Sequence, residues 1–175
     1  GTDISQWRRN NITHIVRKIY SEVKSLKPWV KVSSSPVGKY NDTSRYSSHG
    51  WNAYDAVYQD AQLWLEEGIH DVVFPMMYFK QNQFYPFALD WQENKHGRWV
   101  VPGLGIYFLE EKKYKWNSSE ILRQMYFIRK NKLDGEAFFR NRFLMKNTEG
   151  ITSHIKDIFY NKPAVIPPMW RWWQQ

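Results

Sequence analysis

Residues 72–79, Val-Val-Phe-Pro-Met-Met-Tyr-Phe, are apolar with no polar position between them. An unbroken run of that length is the pattern of a parallel strand covered on both faces, so it predicts a central strand and not a half-wet hairpin. Pro75 has no N–H to give a ladder and is expected where the strand gives way to its loop. Strands of this kind carry chemistry at the C-terminal tip, which puts Met77, Tyr78 and Lys80 nearest any pocket.

Upstream, Ile12, Ile15, Val16, Ile19, Tyr20, Val23 and Leu26 recur at helical spacing and predict one long amphipathic helix from about Ser5 to Leu26, ended by Lys27-Pro28. Trp29 to Ser33 reads as a strand running into Ser34-Ser35-Pro36-Val37-Gly38, followed by a polar loop from Lys39 to Gly50. A second helix carries Tyr54, Val57, Tyr58, Ala61, Trp64 and Leu65 on one face and is closed by Gly68. Beyond the central strand, Pro86 opens a short helix through Trp91 and Glu93, and Trp99 to Phe108 is a third strand. Asn117 and Glu120 form a capping-box-like start for a helix to Lys130. Leu133-Asp134-Gly135 then turns into a strand from Glu136 to Leu144, and a last helix carries Ile151, Ile155, Ile158 and Phe159.

The order is one helix and then four strand–helix units, which predicts an α/β parallel sheet with right-handed crossovers. A small open α/β domain and half of an eight-stranded barrel both fit. The leading helix, which has no strand of its own, favours the barrel half. Two divisions follow: a domain over residues 1–162 and a Pro/Trp-rich tail over 163–175, with Trp170, Trp172 and Trp173, that covers the barrel or leads to a following domain.

Composition narrows the chemistry. The 175 residues contain no cysteine, which excludes disulfides, thiolate metal sites and a cysteine nucleophile. Twenty-five Lys and Arg against seventeen Asp and Glu give a net charge of +8, compatible with an anionic partner or with a solvated basic surface. There is no signal-like apolar segment and no membrane-spanning run, and Gly1-Thr2-Asp3 reads as the start of a fragment. His14, His49, His70, His96 and His154 show no ligand spacing, and Gly103-Leu104-Gly105 lacks the third glycine of a dinucleotide loop, so no metal or cofactor is expected. Ser33 to Ser35 lack a nucleophile elbow and an obvious histidine partner.

Three segments, taken in order, carry a resemblance. Trp7-Arg8-Arg9-Asn10-Asn11-Ile12, Lys27-Pro28-Trp29-Val30-Lys31-Val32 leading to Ser35-Pro36-Val37-Gly38, and Asp60 to Asp71 leading to Pro75-Met76-Met77-Tyr78 resemble the glycosyl-hydrolase-like family 10 proteins, up to about Phe143. The resemblance implies a (β/α)8 barrel in a bacterial envelope or secreted protein, often a lipoprotein, acting on a polysaccharide, with peptidoglycan glycan strands among the candidates. It implies that this chain is the second half of the barrel, helix 4 and units 5 to 8. The family's paired aspartates at the end of strand 4 would then lie before Trp7-Arg8-Arg9, outside this sequence. Where the family usually has Gln before Ile-Tyr-Trp, this chain has Met76-Met77-Tyr78-Phe79, without the amide.

Glycoside hydrolysis ordinarily needs two carboxyl groups about 5–9.5 Å apart. Only Asp42, after the first strand, and Glu110-Glu111, after the third, lie in loops near a strand tip; Asp42 and Glu110 are therefore the candidate acids, and a solvated loop charge is the plainer identity for each. Arg8 and Arg9 stand early in a helix, where the macrodipole disfavours cations; they either grip acids at the pocket or pair at the surface with Asp3. Trp51, Tyr78, Tyr107 and Trp116 are placed to stack on a sugar, with Ser35 and Lys80 beside them, and Tyr78 and Tyr107 serve equally as core caps. Two functions follow: an enzyme part needing the missing half barrel or a second copy, and a non-catalytic basic, aromatic module for acidic glycan or nucleic acid, the second being the less favoured partner.

Overall fold

The computed structural model describes residues 3–110 and 114–165. The first helix, α1 (Ile4–Leu26), is capped by the Asp3 carboxylate, which accepts from the Ser5 N–H at 2.9 Å. The sheet strands are β1 (Ser33–Ser34), β2 (Val72–Val73), β3 (Trp99–Val100), β4 (Gly103–Leu104) and β5 (Ala137–Phe138). Every pairing is parallel: β1 with β2, β2 with β3, and β4 with β5, and single bridges Val37–Met76 and Met76–Gly103 continue the ladders. β3 and β4 are two pieces of one strand interrupted at Val101-Pro102, so four strands lie side by side in chain order. Helices α2 (Ala53–Ala56), α3 (Ala61–Glu66), α4 (Tyr85–Glu93) and α5 (Ser118–Lys130) occupy the connections, and α6 (Asn141–Met145) and α7 (Ile151–His154) follow the last strand. This is the arrangement of half of a (β/α)8 barrel.

Register separates the two faces. Ser34, Val73, Met77, Val100 and Leu104 look toward the helices, where Trp64, Leu65, Phe87, Trp91, Ile121, Met125 and Ile128 fill the core. Ser33, Ser35, Phe74, Met76, Gly103, Ala137 and Phe139 take the opposite face and remain partly or fully exposed, except the close-packed Gly103. Val72, on that same lumen face, is buried like Val73, so the central strand is covered on both faces at its start, as its apolar run predicts, and on one face only from Phe74 onward. The open face is the one that looks into the lumen of a closed barrel.

The N-terminal ends of the strands are tied by a repeated device. Asp71, fully buried, accepts from the Val32 N–H at 2.7 Å while its own N–H donates to the Val32 carbonyl at 2.9 Å. Lys24, in the last turn of α1, reaches the same carboxylate at 2.7 Å, Arg98 lies 3.6 Å away and the Tyr20 hydroxyl 3.3 Å. Asp134 repeats this two strands on: it accepts from the Val100 N–H at 2.9 Å, returns its N–H to the Val100 carbonyl at 3.2 Å and meets Lys95 at 3.0 Å.

Several expected elements shift. The first strand begins at Ser33 and not Trp29, because Lys24 donates to the Val30 carbonyl and holds the helix exit away from the sheet, leaving Trp29 exposed. The second helix is broken: Tyr58 adopts φ +59°, the Gln59 side chain accepts from the Val37 N–H at 3.0 Å, and Asp60 turns to the Tyr40 hydroxyl at 2.6 Å. The third strand ends at Leu104, with Ile106–Leu109 forming a 3-10 turn, and Asn141–Met145 is helical where strand was expected. The last helix widens into a π-turn over Ile155–Phe159. Gly68 does close α3, at φ +69°. The tail tryptophans Trp170, Trp172 and Trp173 lie outside the described residues.

Ser34 has a histidine partner after all. The Nδ1 of His70 lies 2.6 Å from the Ile69 carbonyl, an acceptor, so that nitrogen carries the proton and Nε2 accepts from the Ser34 hydroxyl at 2.9 Å. Both are on the helix side against Trp64, and His70 is buried, so the pair is packing and not a nucleophile.

Removing the Asp71 carboxylate takes a buried anion from Lys24 and Arg98 and the acceptor from the Val32 N–H. Asp71→Ala is expected to cost about 3 kcal/mol, and Asp71→Asn less, since the amide oxygen still accepts from Val32; urea unfolding midpoints check both. Burial pushes the His70 imidazole below its ordinary value of 6.5, against the opposing pulls of the Ile69 hydrogen bond and Asp71. The unfolded chain therefore takes up this proton first as pH falls through the ordinary value, and stability is lost over that window and below it. Denaturation series across it should show a shallower pH slope in His70→Gln than in the parent chain.

Candidate functional site

The strand tips converge on a recess of about 160 Å³ on the lumen face, lined by Ser35, Phe74, Tyr78, Gly103, Ala137 and Phe139. Tyr78 stacks on Phe139 with centroids 5.4 Å apart and planes 27° apart. Tyr107 meets both rings edge-on, at 5.7 and 5.8 Å, and Phe108 and Trp116 carry the aromatic wall outward. The Tyr107 N–H donates to the Phe139 carbonyl at 3.2 Å, fastening the third and fourth tips together, and the Phe139–Arg140 peptide is cis.

Glycine makes room for this wall. A Cβ on Gly103 would lie 3.2 Å from the Pro75 carbonyl oxygen and 3.3 Å from the Tyr78 ring, and one on Gly105 would lie 3.1 Å from Phe108. Burial pushes the Tyr78 hydroxyl above its ordinary range, so it stays a neutral donor at physiological pH. The wall ends at Lys80, whose Nζ lies 5.9 Å from the Trp116 ring centroid.

The structure brings Ser35 and Tyr78 into the recess, with Tyr107 behind Tyr78 and Lys80 further along the wall. Phe139 was not singled out in the sequence; its signal is its place two residues after Ala137, on the same face of a strand paired with Gly103. Trp51 is elsewhere and 73% exposed. Arg8 donates to the Tyr58 hydroxyl at 2.6 Å. Arg9 is buried, its guanidinium 4.0 Å from the Tyr54 ring centroid, donating to Gln6 and the Tyr54 carbonyl, with Asp3 at 3.9 Å and Asp55 at 3.7 Å. It fastens α1 to α2.

Neither Asp42 nor Glu110 lines the recess. Hydrogen bonds from Lys39, Ser47 and Ser48 hold the Asp42 carboxyl down to about 2, and the Lys146 ammonium holds Glu110 below its ordinary range. Both are anions at neutral pH, unsuited to donate a proton to a leaving group. Another buried carboxylate is Glu120, at the start of α5, which accepts from the Gln81 N–H and Gln124 and pairs with Arg123 at 2.9 Å. Sequence reasoning took it only as a cap. Among the described residues no group of three or more His, Asp or Glu is arranged to hold a metal ion, and no helix is long and apolar enough to cross a membrane.

Residues 2–127 match the family described as Glycosyl hydrolase-like 10. The chain is 28% identical over 187 aligned positions to Glycosyl hydrolase YngK of Bacillus subtilis, across 96% of the chain and 36% of that relative. It is 34% identical over 79 positions to Glycosyl hydrolase DigH of Escherichia coli K12, across 43% of the chain and 18% of that relative. The chain therefore spans about a third or less of the length of these curated relatives. The half-barrel order of its strands and the extent of the family match together establish that this chain belongs to the glycosyl hydrolase-like 10 family.

Proposed function

We propose that this chain supplies the sugar-holding half of a (β/α)8 glycoside hydrolase, with the Tyr78–Phe139 stack and Tyr107 as the platform for a sugar ring. The observation that carries the reading is the aromatic recess at the strand tips without a carboxylate in its lining. The acids that cleave the bond then come from the preceding half of the barrel, where the family's paired aspartates fall. The substrate is a bacterial polysaccharide, with peptidoglycan glycan strands as the first to try, and the setting is the cell envelope or the medium outside it.

Pairing with that half is supported by α1. Ile4, Trp7, Ile15, Ile19 and Leu26 form an exposed apolar stripe beside the half-buried one made by Ile12, Val16 and Tyr20. In a barrel that stripe meets the preceding strand and helix. A second copy of the chain, closing the ring as a homodimer, is the alternative occupant.

A non-catalytic module for acidic glycan is the other reading, favoured by Arg140, Arg142 and Lys146 clustered about Glu110 at the β5 tip, beside the exposed ring of Phe139. Salt separates the two. Binding to polyanions falls steeply between low and moderate salt, whereas a neutral-sugar platform barely responds.

Tyr78→Ala and Phe139→Ala are each expected to weaken binding of a glycan oligosaccharide about tenfold, measured by calorimetry. Affinity unchanged in both would remove the platform from the account. The chain alone is expected to release no product from glycan strands; turnover abolished by Asp42→Asn or Glu110→Gln would contradict the assignment of the acids to the other half.

A further inference from the structure

Where the central strand ends, two buried side chains of α5 hold its backbone. Gln124, fully buried, donates from Nε2 to the Phe79 carbonyl at 2.8 Å and to Glu120 Oε1 at 3.1 Å. The same Glu120 oxygen accepts from the Gln81 N–H at 3.4 Å. Both partners of the amide nitrogen are acceptors, which fixes the way the amide faces and leaves Gln124 Oε1 buried without a hydrogen bond among the described residues. A buried acceptor without a donor opposes folding, so what this amide contributes is the carbonyl that its nitrogen holds. Gln81 takes φ +54°, a conformation that a residue other than glycine keeps only where its surroundings impose it.

Between the two anchored peptides stands Lys80. The carbonyl before it and the N–H after it are tied to the same pair of side chains, so its stem leaves the strand in a set direction. It runs along the aromatic wall to Trp116, with Nζ 5.9 Å from the ring centroid, and is half-buried there. The acids of the neighbouring tips are already matched, Asp42 with Lys39, Glu110 with Lys146 and Glu120 with Arg123. Among the described residues no carboxylate lies within ion-pair reach of Lys80. An ammonium on a pinned stem, partly withdrawn from water against an aromatic ring, is preorganised for an anion brought by a ligand.

We propose that Lys80 is a specificity-determining residue of the lumen platform and takes a carboxylate borne by the bound glycan, with Glu120 and Gln124 as its positioning residues. The carboxylate belongs to a ring beyond the one stacked on Tyr78 and Phe139, because Tyr107, Phe108 and Trp116 lie between that stack and Lys80. The inference rests on the platform reading. A single half-exposed ion pair adds a modest salt response, far short of the steep fall of a polyanion.

Calorimetric titration of the whole chain with two matched pairs of disaccharides tests it. One pair is N,N′-diacetylchitobiose and N-acetylglucosaminyl-N-acetylmuramic acid, whose carboxylate sits on an ether arm; the other is cellobiose and cellobiouronic acid, whose carboxylate sits on the ring. In at least one pair the acidic member is expected to bind about fivefold tighter at low salt, and the pair that shows it identifies the kind of carboxylate that is read. Lys80→Met is expected to bring that ratio to about one and Lys80→Arg to keep it. Neither substitution removes a hydrogen bond of the fold. Gln124→Met leaves the charge of Lys80 in place and is expected to lower the ratio to about twofold, which general loosening of the fold would not do, since both members of a pair use the same platform. A parent-like ratio in Gln124→Met would remove the positioning role. Equal binding within both pairs by the parent chain would leave the platform standing and overturn the proposal, as would a preference that survives Lys80→Met. Binding of none of the four would overturn the platform and this inference together.

Discussion

The buried carboxylate of Asp71 is the constraint on which the rest of the sheet depends. It meets α1 through Lys24 and Tyr20, the first strand through the Val32 N–H, and the approach to the third strand through Arg98, so that one side chain sets the spacing of three elements. A charge with no solvent access holds its place only when partners surround it. Asp134 repeats the arrangement with Lys95 and Val100. Together these clamps fix the strand starts, and the strand tips inherit their positions from them. The division of labour follows the barrel logic, with stability at one end of the strands and chemistry at the other.

Much of this was legible in the chain. The long helix, the parallel order and the central strand follow from hydrophobic period alone, because those elements are held by the core they bury. The departures occur where a single side chain reaches across the sequence. Gln59 caps the Val37 N–H and Asp60 takes the Tyr40 hydroxyl, and these two bonds break a helix that periodicity would have continued. The start of the first strand is set in the same way by Lys24. No local pattern contains such information.

The site divides likewise. Ser35, Tyr78 and Tyr107 stand near the recess because a strand tip can be read from a strand, whereas Phe139 escaped notice because its strand was read as running on to Leu144. Arg9 looked like a pocket residue from its place early in a helix, and the structure spends it on Tyr54, Asp3 and Asp55. The open lumen face is the most informative departure. A strand as apolar as residues 72–79 reads as doubly covered; Val72 and Val73 are, and the face left open from Phe74 onward is the one that a complete barrel encloses.

The central claim is that the lumen side of this half barrel holds a sugar. Backbone and aromatic chemical-shift mapping during titration with a glycan oligosaccharide tests it most directly. The account predicts shifts concentrated at Ser35, Tyr78, Gly103, Tyr107 and Phe139. Shifts confined to the helical face, or none at saturating oligosaccharide, would contradict it.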